Sequence, residues 1–175
     1  MEYQTVKHSF EPLFDDRSLI LILGSLPSVK SRENDFYYGH PKNRFWSLMA
    51  GLLKCDEPLT KEEKKEMLLS HNIALWDVIV QCDIRGSSDS SIRNVIPNDI
   101  NIIVNNSCVR TIFANGGKTE ELYNKYCSGT VRMPIFRLPS TSPANASCGM
   151  DSLKEKWQCV TVDLSNAEKR YGHFD

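Results

Sequence analysis

The run Ser18-Leu19-Ile20-Leu21-Ile22-Leu23, entering Gly24-Ser25-Leu26-Pro27-Ser28, decides the fold. Its apolar residues do not alternate with polar ones, which is the pattern of a strand buried on both faces. It is far too short to cross a bilayer. Three further runs repeat the theme of an apolar stretch ending in a polar or Gly/Pro loop. They are Ile73 to Val80, Val109 to Ala114 entering Asn115-Gly116-Gly117, and Pro134 to Leu138 entering Pro139-Ser140-Thr141-Ser142-Pro143. Helical segments are expected between them. Asn43 to Leu53 carries Phe45, Trp46, Met49, Leu52 and Leu53 on one broad stripe. Thr60 to Leu69 opens with Thr60 and has Glu63 three positions later, a capping-box spacing. Ile92 to Val104 and Lys118 to Tyr126 are shorter helical candidates.

This alternation predicts an α/β protein of three layers, α/β/α, around a central, mainly parallel four-stranded sheet. One domain spanning 1–175 is expected, since 175 residues suffice for a real core and no repeat or linker divides the chain. In such sheets ligands bind beyond the carboxyl ends of the strands. Function is therefore sought in residues 24–44, 76–91, 115–118 and 138–147.

Composition narrows the class. With 41% hydrophobic and 25% charged residues, the chain reads as globular rather than disordered or membranous. Met1 to Glu11 has no apolar core of a secretory signal, so a cytoplasmic location is expected, with no membrane partner. A formal net charge of -1 counts against general basicity. The positive charge is nonetheless clustered: Lys30, Arg32, Lys42 and Arg44 outnumber Glu33 and Asp35 in one loop region, and residues 107–148 carry a similar excess. That pattern predicts salt-sensitive DNA affinity focused on one face. The six cysteines include no Cys-x-x-Cys and no zinc-ligand spacing, so they are expected to be reduced, mostly buried apolar residues, with no metal bound.

Three loops can carry chemistry. Gly24-Ser25-Leu26-Pro27-Ser28 is a tight turn that matches neither a dinucleotide fingerprint nor a P-loop. Phe36-Tyr37-Tyr38-Gly39-His40-Pro41-Lys42-Asn43-Arg44-Phe45-Trp46 is dense in aromatics and polar side chains. Flat rings can stack on a base, Lys42 and Arg44 can meet phosphate, and Asn43 can hold a water or a polar ring edge. Phe36, Phe45 and Trp46 can equally pack inward. Pro139-Ser140-Thr141-Ser142 offers hydroxyls and backbone N–H groups suited to phosphate oxygens, on a loop stiffened by proline.

Together these loops resemble the uracil-DNA glycosylase superfamily over about Leu19 to Asn145. The Gly-x-x-Pro turn, the segment His40-Pro41-Lys42-Asn43-Arg44-Phe45-Trp46 and the late Pro-Ser loop occur in the order that superfamily has. The departures narrow the branch. Where other members place Asp or Asn to act on water, this chain has Leu26, and where they place His to stabilise the departing base it has Leu138. The pattern, with Ala74-Leu75-Trp76-Asp77-Val78-Ile79, is similar to the hypoxanthine-DNA glycosylases, also called DNA-deoxyinosine glycosylases. That resemblance implies flipping and excision of hypoxanthine from double- or single-stranded DNA, leaving an abasic site, by a monomer needing no cofactor.

The resemblance also implies roles. Asn43 is the important Asn of the His-Pro-x-Asn segment, positioning water or stabilising the departing ring. Tyr38 falls on the stacking aromatic. Asp77 takes the place of the base-reading Asn, and as an ionised acceptor it would accept from hypoxanthine N1–H, a hydrogen adenine lacks. Gly24, Ser25 and Leu26 would line the base site. Ser28, Lys42, Arg44, Pro139, Ser140, Thr141 and Ser142 would touch the DNA. His40 is either a proton donor or a structural residue. Two alternatives remain open at this level: a uracil or mismatch glycosylase, and a non-catalytic nucleic-acid-binding domain, which Leu26 and Leu138 favour. A nucleotide-dependent oxidoreductase is disfavoured, because no dinucleotide fingerprint follows a strand.

Overall fold

The computed structural model describes residues 2–8, 10–86 and 88–171. Seven strands form two sheets. Strands β2 (Ile20–Gly24), β3 (Ile73–Asp77), β6 (Thr111–Asn115) and β7 (Ile135–Leu138) make a parallel sheet in the order β3-β2-β6-β7. Strands β1 (Gln4–Lys7), β4 (Ile79–Ile84) and β5 (Arg93–Pro97) make a second, antiparallel sheet in the order β1-β4-β5. The helices are α1 (Val29–Glu33), α2 (Phe45–Leu53), α3 (Lys61–Ser70), α4 (Asn101–Val104), α5 (Gly117–Tyr126), α6 (Ser128–Val131) and α7 (Met150–Tyr171).

Strands β2 and β3 are buried at every position, so both faces of the central sheet are covered. Non-alternating runs such as Ile20-Leu21-Ile22-Leu23 fit only that environment. The stripe on α2 packs against α7, where Phe45 meets Trp157 edge-on at 6.1 Å between ring centroids. Phe36, Phe45 and Trp46 are core residues. The capping box forms as expected: the Thr60 hydroxyl accepts from Glu63 N–H, and the Glu63 carboxylate accepts from Thr60 N–H.

Three sequence expectations change. The run Ile73 to Val80 is not one strand. Val78 and Ile79 donate their N–H groups to the carbonyls of Gly24 and Ser25, which ends the parallel ladder and sends the chain into the second sheet. Ile92 to Val104 is not one helix. Its first half is β5, an edge strand rich in β-branched residues, and Pro97 stops a helix from continuing through it. The 22-residue α7 was absent from the sequence reading, although Leu153, Trp157, Val160 and Leu164 are buried at helical spacing. Among the described residues no helix is long and apolar enough to cross a membrane. All six cysteines are free; Cys82, Cys127 and Cys148 are buried as expected, while Cys55 and Cys159 are exposed.

Candidate active site

The carboxyl ends of β2, β3 and β6 open into one cavity of about 610 Å3, within the size range of small-molecule sites. Gly24, Ser25, Leu26 and Ser28 line it from the first loop, and Tyr38 and Asn43 from the second. Asp77 and Asn115 line it from strand ends, and Ser140, Thr141 and Ser142 from the late loop. The structure thus gathers ten of the fourteen residues singled out above.

Asp77 is held at its strand end by the backbone. Its carbonyl accepts from Asn98 Nδ2, and the next N–H donates to Gly24. The register sets it opposite Gly24. A Cβ on residue 24 would lie 2.2 Å from Asp77 Oδ1 and 3.1 Å from the Tyr38 hydroxyl, so only glycine leaves room for both groups. Asp77 is 4% exposed. Burial pushes its carboxyl up to about 7. Its Oδ2 and the Tyr38 hydroxyl are buried without a hydrogen-bond partner among the described residues. Burial, and then the Asp77 charge, push the Tyr38 phenol far above its ordinary value. Two buried polar atoms left unpaired at one end of a cavity are costly unless a ligand satisfies them. The Tyr38 ring stacks on Phe45, with centroids 4.1 Å apart.

Asn43 belongs to a hydrogen-bond chain whose directions are fixed at both ends by backbone donors. Thr141 N–H donates to Asn115 Oδ1 (2.9 Å), so Asn115 must present its amide nitrogen to the Thr141 hydroxyl (2.9 Å). That hydroxyl then donates to Asn43 Oδ1 (2.9 Å), which also accepts from Phe45 N–H (3.0 Å). The Asn43 oxygen is therefore committed to the fold. Its Nδ2 has no partner among the described residues and belongs to a side chain lining the cavity. Asn43 enters the site as a hydrogen-bond donor.

The remaining residues fall elsewhere. Arg44 does not present its guanidinium to solvent phosphate. It donates to the carbonyls of Thr141 (3.3 Å), Ser142 (2.9 Å), Asn145 (3.1 Å) and Cys148. Its expected phosphate contact is corrected accordingly: Arg44 clamps the late loop that carries Thr141. Arg44→Lys, which keeps the charge but loses the fork, should cost roughly 2–3 kcal/mol in urea unfolding. Arg44→Gln, which removes the charge, should leave the salt dependence of DNA binding unchanged, whereas a slope smaller by about one would return Arg44 to a phosphate. His40 lies outside the cavity lining, and its Nδ1 accepts from Lys42 N–H (3.1 Å), which ties that nitrogen to the turn. Lys42 is exposed and also outside the lining. Pro139 borders a neighbouring cavity, its carbonyl accepting from Trp157 Nε1. The Ser28 hydroxyl caps α1 by accepting from Ser31 N–H.

Asn115, the hub of the chain, was passed over in the sequence, although its place at a strand end before Gly116-Gly117 marks it. Gly116 has φ of +100°, and a Cβ there would press within 3.1 Å of Ser140 Cβ. Arg32, Asp89, Lys118 and Thr119 also line the cavity. Among the described residues no group of three or more His, Cys, Asp or Glu is placed to hold a metal.

A profile of the uracil DNA glycosylase superfamily matches residues 11–162. A hypoxanthine DNA glycosylase of Methanosarcina acetivorans is 36% identical over 157 residues, covering 89% of this chain and 98% of that protein. One of Methanosarcina barkeri is 33% identical over 117 residues, covering 66% and 74%. A solution NMR structure from Methanosarcina acetivorans, reported as a candidate uracil DNA glycosylase, superposes with a TM-score of 0.77 at 32% identity, covering 93% of this chain and 99% of that one. The parallel sheet, the cavity at its strand ends and these matches agree: the chain belongs to the uracil DNA glycosylase superfamily.

Proposed function

We propose that this chain is a DNA repair glycosylase that hydrolyses the N-glycosidic bond of deoxyinosine, releasing hypoxanthine. The observation that carries this reading is the pairing, in one cavity, of an unsatisfied buried carboxyl at Asp77 with an uncommitted donor at Asn43. A flipped hypoxanthine offers what each lacks. Its N1–H can donate to the Asp77 carboxylate, and its ring nitrogens and O6 can accept from Asn43 Nδ2. Adenine presents a lone pair at N1, which an ionised Asp77 repels and leaves unpaired. The relatives named for hypoxanthine support the same choice.

In the reaction the bond from sugar C1′ to the base breaks, and its electron pair leaves with the purine. Water then adds to C1′ and releases a proton. Charge develops on the departing ring, where a preorganised donor is worth most. Leu26 stands where other members act on water and can neither orient nor deprotonate it. Asn43, with its oxygen already spent, is likewise unsuited to be a water acceptor. Both point to stabilisation of the leaving base as the protein's main contribution. Ser140, Ser142 and the loop clamped by Arg44 would then hold the flipped nucleotide's phosphates.

The test is base release from a defined panel. Duplexes containing hypoxanthine, uracil or xanthine are incubated with the protein and treated with alkali. Scission at hypoxanthine above the other two is expected. Scission at uracil alone would replace this reading with a uracil glycosylase, and binding without scission would leave a recognition domain.

A further inference from the structure

The antiparallel sheet has one buried face and one solvated face. Val6, Cys82 and Ile84 point into the core. The register sets Thr5 opposite Asp83, and Asp83 opposite Arg93. Arg85 follows two residues after Asp83, so alternation gives Thr5, Asp83, Arg85 and Arg93 the outer face. Tyr3, in line with Thr5, joins them. The Arg93 guanidinium carbon lies 3.3 Å from the Tyr3 ring centroid, and that of Arg85 4.4 Å. Both arginines are exposed.

Two cations on one ring repel each other unless something neutralises them. Neither forms a salt bridge among the described residues. The nearby carboxylate, Asp83, accepts from the Thr5 hydroxyl (2.7 Å) and Asn94 Nδ2 (2.7 Å) and feels the Arg93 charge without an ion-pair contact, so it offsets one of the two cations at most. The ring keeps both long side chains ordered, which lowers the entropy lost when an anion joins them. The position is also specific. Arg85 lies between Ile84 and Gly86, which both line the cavity, so its backbone belongs to the cavity wall while alternation turns its side chain to the opposite, outer face of the sheet. Its backbone N–H is tied to the Ser91 hydroxyl (2.8 Å).

We propose that Arg85 and Arg93, ordered by Tyr3, form a DNA phosphodiester site on the outer face of the antiparallel sheet, apart from the base cavity. It rests on the proposed function for its DNA, but its chemistry is separate from the base site. It also places positive charge in a stretch that the sequence's charge clusters do not include. Arginine suits the task, because its planar fork meets two phosphate oxygens while its flat face stacks on the ring.

The experiment measures binding of an undamaged duplex by fluorescence anisotropy across a potassium chloride series. Single-turnover release from a saturating inosine duplex is measured alongside. The double variant Arg85→Ala/Arg93→Ala should bind roughly tenfold or more weakly near 0.1 M salt. Its log–log salt slope should shrink by about 0.9 for each phosphate lost. Release at saturation should stay within about twofold of the parent, since these residues are remote from the scissile bond. Arg85→Lys/Arg93→Lys keeps the charges and should keep most of the slope. An unchanged slope in the alanine variant overturns the proposal, as does an equal loss of slope in the lysine variant, which would place the effect in packing. Because binding is read on undamaged DNA, failure of base release by the parent protein would sink the glycosylase reading without touching this one.

Discussion

Asn43→Ala should lose about 10²–10³-fold in single-turnover release of hypoxanthine, the loss expected when one preorganised donor to a developing anion is removed. Binding of an inosine duplex should change little, because the interaction strengthens only as charge reaches the base. The hydrogen-bond chain makes the prediction sharper than a plain loss of activity. Asn43→Asp keeps the acceptor for Phe45 N–H and the Thr141 hydroxyl but replaces the donor with a second oxygen. It should therefore fold and be as inactive as the alanine variant. Thr141→Val removes the link without touching the cavity donor. It should lose less, with part of the loss appearing as lower stability, since Asn115 Nδ2 is left buried and unpaired. If Asn43→Asp retained near-parental rates, the side chain would be acting through its oxygen, and water positioning would return as its role.

Much of this site was legible before any coordinates, for a physical reason. Strands buried on both faces announce themselves by non-alternating apolar runs, and their carboxyl ends then point to the loops that matter. Gly24 and Asp77 at strand ends, and Tyr38, Asn43 and Thr141 on such loops, converge. What the sequence hid was direction. Nothing in Arg44's neighbours reveals that its guanidinium turns back onto four carbonyls about a hundred positions later, because tertiary hydrogen bonds leave no periodic trace. His40 was a candidate by residue type alone, and only geometry shows its Nδ1 spent on a turn. The antiparallel sheet was missed because its strands are short and half-exposed, and because β4 begins inside the run Ile73 to Val80 with no turn residue to separate the two strands. With that sheet went the pairing of Tyr3 with Arg85 and Arg93, three residues that become neighbours only through strand register.

Asp77→Asn should change both stability and base choice, each with a defined pH dependence. The Asp77 carboxyl is raised from 3.8 to about 7 by burial, so the fold favours its protonated form. A raised acid contributes its stability below the unfolded value near 4 and loses it as pH climbs through about 7. The unliganded protein should thus weaken between about pH 4 and 7 and level off above that, ionising Asp77 in the fold costing up to ~4 kcal/mol on the plateau. The asparagine variant carries no charge there. It should match the parent near pH 4 and exceed it by a few kcal/mol from pH 8 upward in urea unfolding. Base choice follows the same titration. Above pH 7 the carboxylate is an acceptor only, accepting N1–H of hypoxanthine and repelling N1 of adenine. Below it, the protonated acid can donate to adenine N1, so the hypoxanthine-to-adenine release ratio of the parent should rise with pH through about 7. An asparagine amide donates and accepts at every pH, so the variant should release adenine more readily, with a flat ratio across the range. Stability and selectivity profiles both parallel to the parent's would mean that Asp77 neither titrates in the fold nor reads the base. A shift in stability alone would leave it a strained residue whose unpaired oxygen does not meet the substrate.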